Sequence, residues 1–268
     1  MAYLAVEGDR RIYYEHYSGA GRPIVLVHGW GMSVRVWDLT LPALLDAGHE
    51  VVSFDHRACG LSDKDFDDVS IDAIGSDAVR LVEQLGLDGV VLNGWSLGGA
   101  VVVDAAAKLG DRLGGLVLTG GASPRYLQGE GFPHGGTPDI FEQTLTALRD
   151  TRPEFLHALA SGVCATEVGA ATVNWMWAIF MQTSARADAT LAGLGDLDQR
   201  DVLAKITVPT LLCHGAQDAI VPHDIGAAAA EMLPDGRLVT FQNSGHAPFL
   251  EETARYRKEL LGFLRGLG

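Results

Sequence analysis

The sequence predicts an α/β chain: one mostly parallel sheet of eight strands, flanked by helices. Short apolar runs alternate with helix-period stretches along most of the 268 residues, as strand-helix-strand connections require. The connections are short everywhere except between Gly121 and Thr207. The chain is also 47% hydrophobic without any apolar run near the ~18 residues that suggest a membrane span, so it can bury a large core.

Strands are expected at 3–6 and 11–16, a hairpin around Glu7-Gly8-Asp9, and then at 24–28, 50–55, 89–94, 116–120, 210–215 and 238–242. Helical patterns lie between them at 36–47, 70–85, 100–109, 224–233 and 252–267. The long exception opens with glycine- and proline-rich stretches and continues with helical patterns at 139–149, 153–161, 170–183 and 185–193. A structureless loop of that length is implausible in a compact domain, so it reads as a helical cap inserted after the sixth strand. The expected division is a core at 1–121, a cap at 122–206 and the rest of the core at 207–268.

The most informative stretch is Val90-Val91-Leu92-Asn93-Gly94-Trp95-Ser96-Leu97-Gly98-Gly99-Ala100. An apolar strand runs into Gly-x-Ser-x-Gly, and an Ala/Val-rich helix leaves it. That is the context of a nucleophile elbow, where a sharp turn presents the serine and only glycine fits on either side. A serine hydroxyl needs a base to take its proton, and the base needs a third group to orient it. Asp218 follows the seventh strand and His246 the eighth, so Ser96, Asp218 and His246 occur in the order this strand pattern requires. Asp224 lies close enough to Asp218 to compete for the acid's role. The backbone N–H of Leu97, at the helix start, and that of Trp30, after His28-Gly29, are the expected oxyanion donors. His28 itself is expected to be a structural hydrogen-bonder.

These features resemble the α/β-hydrolase fold over nearly the whole chain. The resemblance rests on His28-Gly29-Trp30, Asp55-His56-Arg57-Ala58-Cys59-Gly60-Leu61-Ser62, Gly94-Trp95-Ser96-Leu97-Gly98, Asp218 and Gly245-His246. It departs from the family pattern at Ala58, where a glycine is usual. Serine at the elbow sets aside the dehalogenases and epoxide hydrolases, which use aspartate, and the dienelactone hydrolases, which use cysteine. The remaining likeness is to small serine carboxylesterases and lactonases, including pimeloyl-ester hydrolases, acyl-homoserine-lactone lactonases and cofactor-free perhydrolases. It implies hydrolysis of a carboxylic ester or lactone through an acyl-enzyme. The alternatives are perhydrolase chemistry at the same triad, or a small-molecule-binding protein of low turnover.

Large apolar groups suggest an apolar substrate, and Trp30, Trp95, Phe132, Trp175, Trp177, Phe180, Met181 and Phe249 are the candidate lining residues. Acidic residues outnumber basic ones by 34 to 20, for a net charge of −14, which disfavours nucleic acid and anionic membranes as partners. Between Ala122 and Arg200, nine acids face five arginines, so a basic surface for an acidic acyl-carrier protein is not expected, apart from a local cluster at Arg149 and Arg152. No His-Glu-x-x-His or dinucleotide-binding glycine pattern occurs, so no metal or cofactor is expected. Three widely spaced cysteines and an N-terminal stretch without signal-peptide character point to a reduced, cytoplasmic setting. Monomer and homo-oligomer are left open.

Overall fold

The structure, a computed structural model, describes residues 2–267. Its sheet has eight strands: β1 (Ala2–Glu7), β2 (Arg10–Tyr17), β3 (Gly21–Val27), β4 (His49–Phe54), β5 (Val90–Trp95), β6 (Leu113–Thr119), β7 (Thr210–Gly215) and β8 (Gly236–Phe241). They lie in the order β1-β2-β4-β3-β5-β6-β7-β8. The two edge pairings, β1 with β2 and β2 with β4, are antiparallel, and every other pairing is parallel. The central strands are apolar throughout because helices cover both faces: every residue of β5 and of β7 is buried.

The flanking helices of the first half are α1 (Leu41–Asp46), α2 (Ile71–Gln84) and α3 (Leu97–Leu109). Helix α2 begins where the Ser70 hydroxyl accepts the N–H of Ala73, an N-cap, and its buried face lies against α3. The expected helix at 36–47 is divided into a 3-10 turn at Val34–Trp37 and the short α1. Pro42 lacks the N–H that would bond back one turn, so the break falls just before it.

The long connection between β6 and β7 is the expected helical insertion. It contains α4 (Pro138–Asp150), α5 (Arg152–Gly162), α6 (Ala170–Phe180), α7 (Asp188–Ala192) and α8 (Arg200–Leu203). Hydrogen bonds fasten it to the core around its edge: the Thr183 hydroxyl donates to the Gly31 carbonyl at 2.7 Å, Ser184 N–H to the Ala58 carbonyl at 3.0 Å, and the Trp30 indole to the Ala187 carbonyl at 2.8 Å. The chain then closes with α9 (His223–Met232), α10 (Pro248–Glu251) and α11 (Thr253–Gly266). Arg149 and Arg152 form no free basic cluster; they pair with Asp150 and Asp188. Among the described residues, no helix is long and apolar enough to cross a membrane. The three cysteines are free.

Candidate active site

Ser96 sits between the end of β5 and the start of α3 with φ 58° and ψ −125°, a backbone conformation that non-glycine residues rarely adopt. Three backbone bonds hold it there. Ser96 N–H donates to the Thr119 carbonyl at 3.0 Å, and the Ser96 carbonyl accepts from Gly99 at 2.8 Å and from Ala122 at 2.9 Å. The flanking glycines are steric necessities. A methyl group on Gly94 would collide with the Gly98 carbonyl, and one on Gly98 would meet the carbonyl oxygens of Val27 and His28. The strand, turn and helix therefore pack only with glycine at both positions.

The β7 and β8 loops bring Asp218 and His246 together. His246 Nδ1–H donates to Asp218 Oδ2 at 2.8 Å, which leaves Nε2 as the acceptor nitrogen of the ring. The other carboxylate oxygen of Asp218 accepts the N–H groups of Ile220 and Val221 at 2.9 and 2.8 Å. Burial works against ionisation of Asp218. The charge of His246 and the hydrogen bonds from His214 and His246 outweigh it, and hold the carboxyl well below the usual range. Asp224, the competing acid, is exposed and outside this arrangement. His214, which sequence reasoning passed over, is buried with Nε2 3.4 Å from Asp218 Oδ2 while donating to the Val221 carbonyl at 2.8 Å.

The loop after β3 runs beside the elbow; a methyl on Gly29 would lie 3.0 Å from Ser96 Cβ. His28 is structural, as expected. Its Nδ1–H donates to the Gly29 carbonyl at 2.7 Å, and its Nε2 accepts the His56 N–H at 2.9 Å. Its ring stacks on that of His56 at 3.7 Å, and burial pushes its pKa down to about 4. The N–H of Trp30 has no hydrogen-bond partner among the described residues. Leu97, as the first residue of α3, has no preceding turn to donate to.

Ser96 and His246 open onto one apolar cavity of about 70 Å³. The core contributes Trp30, Trp95 and Leu97 to its wall. The insertion contributes Tyr126, Thr144, Phe155, Leu159 and Phe180, among others. Of the eight candidate lining residues, only Trp30, Trp95 and Phe180 reach this wall. Phe249 is wholly buried against Trp37 and Trp95, and Phe132 is buried beside His134. Trp177 packs edge-on against His157, Trp175 borders a surface hollow with Leu39, and Met181 is exposed. Helix α6 is apolar apart from Thr172 and Asn174 and shows little contrast between its faces, so its composition does not reveal which face meets the cavity. Tyr126, Thr144 and Phe155 carry no periodic signal that would have singled them out.

A family model for the alpha/beta hydrolase fold matches residues 22–253. The chain is an α/β hydrolase. This hydrolase is related to small-molecule esterases, lactonases and perhydrolases. It is 29% identical to the bifunctional esterase/perhydrolase of Acinetobacter calcoaceticus, over 99% of this chain and 100% of that protein. It is 30% identical to a non-heme chloroperoxidase of Burkholderia pyrrocinia, over 99% and 100%. Among solved structures, the hydrolase superposes on an esterase from Exiguobacterium antarcticum with a TM-score of 0.94 and 28% identity, covering 98% of each chain.

Proposed function

We propose that this hydrolase cleaves a carboxylic ester or lactone of a small, uncharged, largely apolar substrate through an acyl-enzyme on Ser96. The observation that carries the reading is that His246, hydrogen-bonded to the buried Asp218, opens together with the strained Ser96 onto one apolar cavity. Ser96 Oγ attacks the carbonyl as His246 Nε2 takes its proton. His246 then gives that proton to the departing alkoxide. Asp218 fixes the imidazole tautomer and stabilises its charged form. The N–H groups of Trp30 and Leu97 receive the tetrahedral oxyanion. Water, deprotonated by His246, attacks the acyl carbonyl and releases the acid. Residues 122–206 act as the cap that makes the cavity dry.

The test is turnover of p-nitrophenyl esters and lactones by the wild type and Ser96→Ala. The variant is expected to lose about four or more orders of magnitude in kcat while keeping its fold. Activity near wild type would overturn the assignment. The relatives named for perhydrolase and chloroperoxidase activity favour a second reading, in which hydrogen peroxide replaces water at the acyl-enzyme and a peracid leaves. Bromination of monochlorodimedone that depends on peroxide, a carboxylic acid and Ser96 would support it.

A further inference from the structure

The cavity wall contains six side chains with an N–H or O–H group: Trp30, Trp95, Ser96, Tyr126, Thr144 and His246. Five of them are accounted for. The Trp30 indole donates to the Ala187 carbonyl and the Trp95 indole to the His246 carbonyl, each at 2.8 Å. The Thr144 hydroxyl donates to the Ile140 carbonyl at 3.0 Å, and the His246 proton goes to Asp218. Ser96 is the reacting group. Apart from Ser96 Oγ, the Tyr126 hydroxyl is the one such group with no hydrogen-bond partner among the described residues, and its residue is half-buried.

Tyr126 is also held firmly. Its ring packs edge-on against Phe141 of α4, with centroids 5.6 Å apart. Its carbonyl accepts the N–H of Gly136, where the loop folds back so closely that a methyl on Gly135 would strike that carbonyl. The hydroxyl is not sealed from solvent, so a substrate oxygen that accepts from it takes the place of water, whereas an apolar group that displaces that water leaves the phenol unpaired. Burial and the nearby charge of Asp218 push the phenol up to about 12, so it remains a donor throughout the neutral range. Among the described residues no lysine or arginine lines the cavity, so an uncharged acceptor fits it best.

Building on the serine-hydrolase reading, we infer that Tyr126 is a specificity residue whose hydroxyl donates to a neutral oxygen on the substrate other than the reacting carbonyl. The preferred substrate therefore carries an ether, keto or hydroxyl oxygen within a few bonds of the ester. A purely hydrocarbon ester leaves the phenol unpaired and is the poorer substrate.

Two isosteric pairs test this: p-nitrophenyl methoxyacetate against p-nitrophenyl butyrate for the acyl side, and 2-methoxyethyl acetate against butyl acetate for the alcohol side. In each pair one CH₂ becomes an oxygen, and the ether-to-methylene ratio of kcat/KM is compared between the wild type and Tyr126→Phe, which removes the intrinsic reactivity difference. The ratio is expected to fall roughly tenfold in one of the pairs. Ratios unchanged in both pairs would overturn the inference. Ser96→Ala is run alongside, and hydrolysis that survives it would refute the serine mechanism instead. The same four ligands are titrated by indole fluorescence into Ser96→Ala with and without Tyr126→Phe. The ratio of Kd values then decides the role of Tyr126 even where turnover is absent.

Discussion

Ser96 owes its position to its neighbours. Its φ of 58° costs about 1–3 kcal/mol, which the packing of β5 and α3 around Gly94 and Gly98 sustains. Gly94→Ala should therefore destabilise the protein by about 1–3 kcal/mol and depress kcat, since the new methyl must displace both the Gly98 carbonyl and the Val102 side chain. Denaturation and kinetics on one preparation check it; a variant with wild-type stability would contradict the packing argument. The stacked, buried His28 and His56 both have pKa values pushed down by burial, His28 to about 4. An unfolded chain takes up these protons near 6.5 and the folded protein does not. Their contribution is therefore intact above about pH 6.5 and is lost as pH falls toward 4, by up to ~1.4 kcal/mol per pH unit for each ring. Asp55, pushed up to about 6 by burial, works in the opposite direction, so the comparison is made between variants. His56→Phe, which removes a buried Nε2 that has no partner, should flatten the fall in urea midpoint between pH 6.5 and 4.5; an unchanged slope would contradict it.

At the scale of elements, strands were the most legible feature. Parallel strands buried on both faces are continuous apolar runs, and the expected ends differ from those observed by at most three residues. The elbow and the order of Ser96, Asp218 and His246 were legible because each follows its own strand. The helical insertion was legible as a whole, but its inner surface was not. Sequence singled out the aromatic α6, whereas α4, α5 and the loop at Tyr126 supply much of the cavity wall. Direction depends on how each helix tilts over the sheet, which hydrophobicity alone does not encode. The insertion also reaches the histidine loop directly. His246 N–H donates to the Val163 carbonyl at 2.8 Å, and Glu251 accepts from Ala165 and Thr166 on one carboxylate oxygen and from Gly245 on the other. Glu251 thus pins the loop between α5 and α6 to the loop that carries His246. Glu251→Gln turns an N–H₂ group toward these donors. It should cost about 1–2 kcal/mol, partial exposure moderating the effect, and lower kcat more than it changes KM. A change in KM alone would contradict a positioning role.

Across the whole molecule, size and charge set what the proposed site is expected to accept. A cavity of about 70 Å³ is far smaller than the ~300–1,000 Å³ typical of drug-sized ligands. Turnover of p-nitrophenyl esters should therefore peak at acyl chains of about two to four carbons and fall steeply by about eight carbons. An optimum at long chains would contradict a closed cap. With a net charge of −14 and no lysine or arginine on the cavity wall among the described residues, an ester bearing a free carboxylate should be a far poorer substrate than its methyl ester. Added salt should recover part of the difference by screening. The most direct measurement for the central claim is labelling with a fluorophosphonate, followed by proteolysis and mass mapping of the adduct. The account predicts one adduct per chain, on Ser96, abolished in His246→Gln and formed in step with loss of esterase activity. An adduct on another hydroxyl, or lost activity without modification of Ser96, would contradict it.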